Sequence, residues 1–266
     1  MPPCPSSAQG KTDRYSQRVR WLIDVPRTLI TVVAGVTATI VAVAVIAVIV
    51  LFNDSAPVID RIIRVWSRVW LVASRTKLEV EGRDNFDPDR SYIVVSNHLS
   101  ALDIMACLLA VPIPIRFLAK KELFRIPVLA QGMRMVGIIE VDREARGAVH
   151  TDVNRQSKEL TEKGRSLIIY AEGTRPRNGV MKPFKKGAFT MAITAGLPVL
   201  PLSIHGSFAA WPPGTPLARG GVIRVVLDKP IETDGLTTSD TGDLRDQVRE
   251  VIAGRVAAMG GAVGGG

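Results

Sequence analysis

Residues Tyr92–Asp103 read YIVVSNHLSALD, and the two halves of this stretch belong to different kinds of structure. Tyr92–Ser96 is a short apolar run rich in β-branched side chains, the pattern of a buried strand. Asn97-His98 ends it, and the Ser-x-x-Asp spacing of Ser100 and Asp103 then opens an apolar helix over Ser100–Ala110. His98 stands at the carboxyl end of the strand, five residues before an aspartate in the first turn of the helix, so the two side chains can meet. A carboxylate on one imidazole nitrogen fixes the tautomer and leaves the other nitrogen free to take a proton. That is the wiring of a general base for a hydroxyl nucleophile. Ser100 and Asp103 also fit a capping box without chemistry, so the stretch does not decide alone.

A second strand, Ser166–Ala171, also runs into a charged turn, Glu172-Gly173-Thr174-Arg175. Gly137–Val141 is a third strand of this kind and ends at Asp142-Arg143. Ligand sites of open α/β sheets collect at the carboxyl ends of strands, so these distant turns can line one cleft. The cations so gathered are Arg143 and Arg175, with Lys120 or Lys121 and Lys185 near them in sequence. Arginine grips phosphate through a planar pair of donors, and lysine supplies a point charge.

In order and spacing, these blocks resemble the glycerolipid acyltransferase family, whose four motifs read NHxxxxD, GxxFxxR, EGTR and V-P-x-x-P. The matching residues are Asn97-His98 with Asp103, Gly137 to Arg143, Glu172 to Arg175, and Leu197-Pro198-Val199-Leu200-Pro201. Glu140 departs from the second motif, where an apolar or aromatic residue is usual. The resemblance implies His98 and Asp103 as the catalytic pair. It gives the acceptor-binding role to Glu172, Gly173, Thr174 and Arg175, with Asn97, Arg143, Lys120 and Lys185 as further substrate-binding candidates. It implies no cofactor, an acyl-CoA or acyl-acyl carrier protein co-substrate, and a cleft shaped around Pro201.

With 266 residues there is room for one α/β domain and an accessory segment. The net charge of +9 implies anionic partners such as a membrane surface, phosphates or an acidic carrier protein. Nucleic acid is not expected, because the basic residues are dispersed and no recognition motif accompanies them. His98, His150 and His205 have no ligand spacing, and Cys4 and Cys107 make no metal or redox motif, so no metal site is expected. There is no G-x-S-x-G and neither cysteine adjoins a histidine.

Residues 1–27 are polar and then basic, and read as a mobile tail leading to a membrane. Residues 28–76 read as membrane-docking helices. Thr28–Phe52 contains no charged residue, and a hydrocarbon core needs roughly 20 apolar residues in a helix. Across 57–75, Arg61, Arg64, Arg68 and Arg75 recur at helical spacing beside Trp66, Trp70 and aliphatic residues, the signature of an interfacial helix. Basic residues flank the apolar run on both sides, so charge alone leaves a helical hairpin and a single crossing open. The resemblance favours the hairpin, with the catalytic domain on the cytoplasmic side of the inner membrane.

Residues 77–259 alternate strands and helices, including a polar helix over Ala148–Lys163 and a final amphipathic helix at Asp243–Met259. The expected fold is α/β, a central mixed sheet flanked by helices, with residues 260–266 as a disordered glycine-rich tail. The expected reaction is transfer of a fatty acyl group from a thioester to the free sn-2 hydroxyl of lysophosphatidate, giving phosphatidate. Backbone N–H groups near Gly173 or at the helix start are candidates to hold the oxyanion. Another lyso-lipid acceptor, such as a lyso-ornithine lipid, and a non-catalytic module binding anionic lipid are the rival readings.

Overall fold

The computed structural model describes residues 9–141, 155–157 and 159–265, with side chains from Trp21 onward. In chain order the elements are α1 (Gln9–Val50), α2 (Pro57–Ala73), β1 (Thr76–Glu81), β2 (Ile93–Ser96), α3 (Leu102–Ala110) and β3 (Ile115–Lys120). After a 3-10 turn at Lys121–Arg125 come α4 (Pro127–Val136), β4 (Ile139–Val141), β5 (Ser166–Tyr170), β6 (Val180–Met181) and α5 (Gly187–Ala195). β7 (Val199–His205), α6 (Ser207–Ala210), β8 (Gly221–Leu227), α7 (Thr241–Ala258) and β9 (Ala262–Val263) complete the chain. The expected polar helix over Ala148–Lys163 is helical at 155–157 and 159–162, and its first half lies outside the described residues.

The main sheet has seven strands in the order β1-β8-β7-β2-β5-β3-β4. β7, β2, β5, β3 and β4 run parallel, while β8 is antiparallel to β7 and parallel to β1, so the sheet is mixed. Successive strand residues face opposite ways, and this alternation sorts the core into two layers. Tyr92, Val94, Phe117, Ile168, Leu200 and Leu202 face α2 and α3. Ile93, Val95, Leu167, Ile169 and Val199 face α5 and α7, where Leu244, Val248, Ile252 and Val256 form a stripe four residues apart. Glu140, the departure noted in the second motif, lies exposed among the described residues on β4 at the sheet edge.

α1 and α2 form an antiparallel hairpin. Ile46 packs with Ile59, the Trp66 indole N–H donates to the Thr39 hydroxyl, and Gly35 lies against the Trp70 ring with no room for a Cβ. On another side α1 meets α4, with Val43 over Gly132. Its lower end is tied to the loop before β8: Thr28 Oγ1 accepts from the Ala218 N–H at 2.8 Å, and Arg27 donates to the Arg219 carbonyl. That loop begins at Trp211, whose carbonyl accepts from the Ser100 hydroxyl at 2.7 Å. The outward side of α1, with Leu29, Val33, Val36, Ile40 and Val48, is exposed among the described residues. On α2 the exposed residues are Val58, Arg61, Val65, Arg68 and Val72, alternating apolar and basic every three or four residues.

From Gln9 onward the expected N-terminal tail is part of this helix, and residues 1–8 lie outside the described residues. No glycine or proline stands between Lys11 and Val25, so a polar sequence here offers nothing to stop helix propagation. The expected disorder of residues 260–266 is corrected too. Gly260 and Gly261 turn the chain off α7, and Ala262–Val263 pairs with Val180–Met181, with the Gly264 N–H donating to the Met181 carbonyl. Arg249 holds the Gly264 carbonyl at 2.6 Å, so an edge strand and one arginine order what composition alone leaves free.

Arg116 of β3 fastens the hairpin to the sheet. Its side chain is buried, bonds Asp60 of α2 at 2.7 Å and donates to the Val136 carbonyl. Removing the carboxylate leaves a buried guanidinium uncompensated, whereas removing the guanidinium leaves a carboxylate with partial access to water. Asp60→Ala should therefore cost about 3 kcal/mol and more than Arg116→Met, read as urea-unfolding midpoints of the detergent-solubilised protein.

Candidate active site

The register places the motif turns in one row. Ser96 pairs with Tyr170 and Leu202, and Lys120 pairs with Val141. Extending these ladders by a residue or two brings His98, Glu172 and the end of β3 to the same edge of the parallel strands. Asp142 and Arg143 follow Val141 in the chain, and both lie outside the described residues.

His98 and Asp103 meet at this edge. The imidazole Nδ1 stands 2.9 Å from Asp103 Oδ2, with the His98 side chain 12% exposed and the Asp103 side chain fully buried. The same oxygen accepts the Leu99 N–H at 2.6 Å and the Ser100 N–H at 2.7 Å. A carboxylate facing Nδ1 makes that nitrogen the donor and leaves Nε2 with a lone pair. α3, which carries Asp103, is held at its other end: Arg83 donates to the Leu109 and Ala110 carbonyls, and Arg64 to that of Val111. Cations at a helix C-terminus satisfy carbonyls that have no partner within the helix.

Two residues assigned to substrate binding are corrected by their hydrogen bonds. Asn97 is fully buried, and its amide exchanges two 2.8 Å bonds with the backbone N–H and carbonyl of Ile204 on β7. It clamps the loop before His98 to the neighbouring strand, which uses its polar atoms. Glu172 is also buried: Oε1 accepts the His98 N–H at 2.8 Å and Oε2 the Lys182 N–H at 2.7 Å. It ties the β5 turn to the backbone of the base itself. Burial pushes its carboxyl up to about 7 despite those two donors.

Thr174 and Arg175 are exposed on the turn, and Arg175 makes no ion pair with a described residue. Gly173 has φ of +72°, and the end of Lys185 lies over it, so that a Cβ there would stand 3.1 Å from Nζ. Lys185 is held in place by its own N–H, which donates to the Ala171 carbonyl at 2.8 Å. Lys120 is half exposed and paired with Glu122 at 3.1 Å. Pro201 does not line the cleft: it pairs with Val95, buried within the sheet before the row of His98. Of the expected oxyanion donors, the Leu99 and Ser100 N–H groups bond Asp103 and the Gly173 N–H bonds the Tyr170 carbonyl.

Tyr170 was not singled out in the sequence, and it stacks on the His98 ring with centroids 3.9 Å apart. An aromatic residue closing an apolar strand just before a charged turn is the signal that marked it. His205 stands beside Gly261 rather than a carboxylate, and His150 lies outside the described residues.

Residues 77–205 match the family model described as Acyltransferase. Among curated proteins, the chain is 37% identical to 1-acyl-sn-glycerol-3-phosphate acyltransferase BAT2, chloroplastic, of Brassica napus, over 58% of this chain and 45% of that protein. It is 33% identical to 1-acyl-sn-glycerol-3-phosphate acyltransferase LPAT1, chloroplastic, of Arabidopsis thaliana, over 75% of this chain and 57% of that protein. The human 1-acyl-sn-glycerol-3-phosphate acyltransferase alpha is 31% identical over 65% of this chain and 61% of its own length. The chain thus spans about half to three-fifths of the length of these relatives. The crystal structure of the 1-acyl-sn-glycerophosphate acyltransferase PlsC from Thermotoga maritima has the same fold, with a TM-score of 0.79 over 90% of this chain and 97% of that one, at 24% identity.

Glu172→Gln tests the clamp. An amide has one accepting oxygen where the carboxylate has two, so either His98 N–H or Lys182 N–H would face a donor, at a cost of about 1–3 kcal/mol. The folded carboxyl titrates near 7 against an ordinary 4.5. The stability this group contributes is therefore full below about pH 4.5 and is lost as pH rises through about 7, a slope the amide lacks. Urea midpoints of both proteins from pH 4 to 8 should show a wild-type-minus-variant difference that declines over that window.

Proposed function

We propose, from the premise that this chain belongs to the Acyltransferase family through residues 77–205, that it transfers a fatty acyl group from an acyl thioester to the sn-2 hydroxyl of lysophosphatidate. The product is phosphatidate. The observation that carries the reading is the 2.9 Å contact of His98 Nδ1 with a fully buried Asp103, which leaves Nε2 as a base at the edge of the sheet.

In the reaction, Nε2 takes the proton of the lysophosphatidate hydroxyl as that oxygen attacks the thioester carbonyl. The tetrahedral species collapses, the carbon–sulfur bond breaks, and the imidazolium returns its proton to the leaving thiolate. A thiolate leaves readily, so the route needs no acyl-enzyme, and the thiol of the buried Cys107 is raised well above the ordinary range by burial. Arg175 and Lys185 take the phosphate of the acceptor, supported by their shared position at the Gly173 turn, with Arg143, two residues after β4 in the chain, as a third candidate cation. Asn97 and Glu172 set the backbone of the base rather than touching the acceptor.

Both acceptor and product live in lipid, and the α1–α2 hairpin suits attachment there. A helix packed along α2 and α4 cannot also be surrounded by hydrocarbon while the domain stays in water. The outward apolar side of α1 and the Val58, Arg61, Val65, Arg68, Val72 row of α2 instead favour a hairpin lying in the interface, with its basic side chains at the headgroups. The catalytic domain then sits on the cytoplasmic face of the inner membrane, where either acyl-CoA or acyl-acyl carrier protein is the donor.

Purified protein offered labelled acyl-CoA or acyl-acyl carrier protein and a panel of acceptors should acylate lysophosphatidate. Acylation of phosphate-free lyso-ornithine lipid alone would remove the phosphate role of Arg175 and Lys185. His98→Ala should lower turnover by about 10³-fold while binding to anionic vesicles persists. Reversing the charge of Arg61 and Arg68 should instead weaken vesicle sedimentation, as expected of headgroup contacts worth about 1 kcal/mol each.

A further inference from the structure

One aromatic ring in the site has no part in the reaction just described. Tyr170, the last residue of β5, lies flat on the His98 imidazole, with centroids 3.9 Å apart and planes 11° from parallel. Phe117 of β3 stacks against Tyr170 in turn, at 6.1 Å and 24°, so three rings form a ladder that crosses neighbouring strands. The Tyr170 hydroxyl is directed to Cys107 Sγ, 3.7 Å away on α3 and one turn beyond Asp103. Burial keeps both groups neutral, raising the phenol and the thiol well above their ordinary values. Tyr170 is thus fixed by its strand register and by Phe117, while its face is given to the histidine.

The imidazole needs such a neighbour. A single hydrogen bond from Nδ1 to Asp103 restrains one point of the ring, and the ring can still tilt about its terminal torsion, which is intrinsically broad. A tilt in either direction changes where Nε2 points. A flat ring in van der Waals contact removes that freedom on its side, and an aromatic face also attracts the cation formed when Nε2 accepts a proton.

We propose that Tyr170 is a positioning residue for His98, acting through the face of its ring to hold the imidazole plane with Nδ1 on Asp103 and Nε2 toward the acceptor hydroxyl. The inference rests on the reading of His98 as the general base. It assigns the work to the ring and none to the hydroxyl, which is engaged by Cys107. Phenylalanine should therefore replace Tyr170, and an aliphatic residue of similar bulk should not.

The test compares full-length wild type, Tyr170→Phe, Tyr170→Leu and Cys107→Ala, with lysophosphatidate and acyl-CoA as substrates, alongside ¹H–¹⁵N spectra of the histidine ring nitrogens. Tyr170→Phe and Cys107→Ala should keep kcat within about twofold, and Tyr170→Leu should lose about tenfold in kcat with KM for lysophosphatidate little changed. The ring spectra should show one tautomer, protonated at Nδ1, in wild type and Tyr170→Phe, and a mixture in Tyr170→Leu. Wild-type kcat with a single tautomer in Tyr170→Leu overturns the proposal. So does a tenfold loss in Tyr170→Phe or Cys107→Ala, a comparison that stands even if Tyr170→Leu fails to fold. Should wild type leave lysophosphatidate untouched, the acyl-transfer reading fails, while the ring spectra still decide the role of Tyr170.

Discussion

Oδ2 of Asp103 gathers the His98 ring and the two backbone N–H groups that follow it, so one atom fixes both the side chain and the chain path of the base. A loop between a strand and a helix would ordinarily leave those amides to water. Here they close around a carboxylate at the start of α3, and the geometry of the loop and of the reactive nitrogen become a single constraint. The long side of the same constraint runs through the helix to Arg64 and Arg83, which hold its last carbonyls. Oδ2 takes three donors, while Oδ1 of the same carboxylate is buried with no hydrogen-bond partner among the described residues, so the network is carried by one oxygen.

The sheet supplies the second half of the arrangement. β2 lies between β5 and β7, and each neighbour grips the Asn97-His98 turn with one side chain or receives one from it. Asn97 reaches sideways to Ile204, and Glu172 reaches back to the His98 N–H. The base is thereby suspended between two parallel neighbours and the helix that follows it. Parallel register also places the Gly173 turn, with the exposed Arg175 and the Lys185 ammonium, one strand away from the His98 turn.

The strand–helix alternation, the mixed sheet and the meeting of His98 with Asp103 were legible because each rests on local spacing: apolar runs of four to seven residues, and an aspartate within one helical turn of the strand end. What a polar side chain does once buried was not legible. Asn97 and Glu172 look like ligands for a substrate because they stand in charged turns, yet both spend their oxygens on backbone N–H groups contributed by segments distant in sequence. The engagement of the Leu99, Ser100 and Gly173 N–H groups was hidden for the same reason, since sequence shows that an N–H exists and not which acceptor has claimed it. The glycine-rich tail was misjudged because its order comes from β6 and Arg249, more than ten residues away. Tyr170 escaped notice because stacking leaves no motif beyond an aromatic residue at a strand end.

The loop from Trp211 to Gly220 bonds, among its other contacts, the Ser100 hydroxyl beside His98 and the Thr28 hydroxyl low on the first helix. A chain shortened to begin after Phe52 would lose more than an apolar anchor. It would strip the Ala218 N–H of its acceptor, uncover Trp70 and Gly132, and release one end of a strap whose other end is fastened to the turn that carries His98. The first helix is in that sense part of the framework that holds the His98 turn, and its removal alters that turn as well as the apolar face.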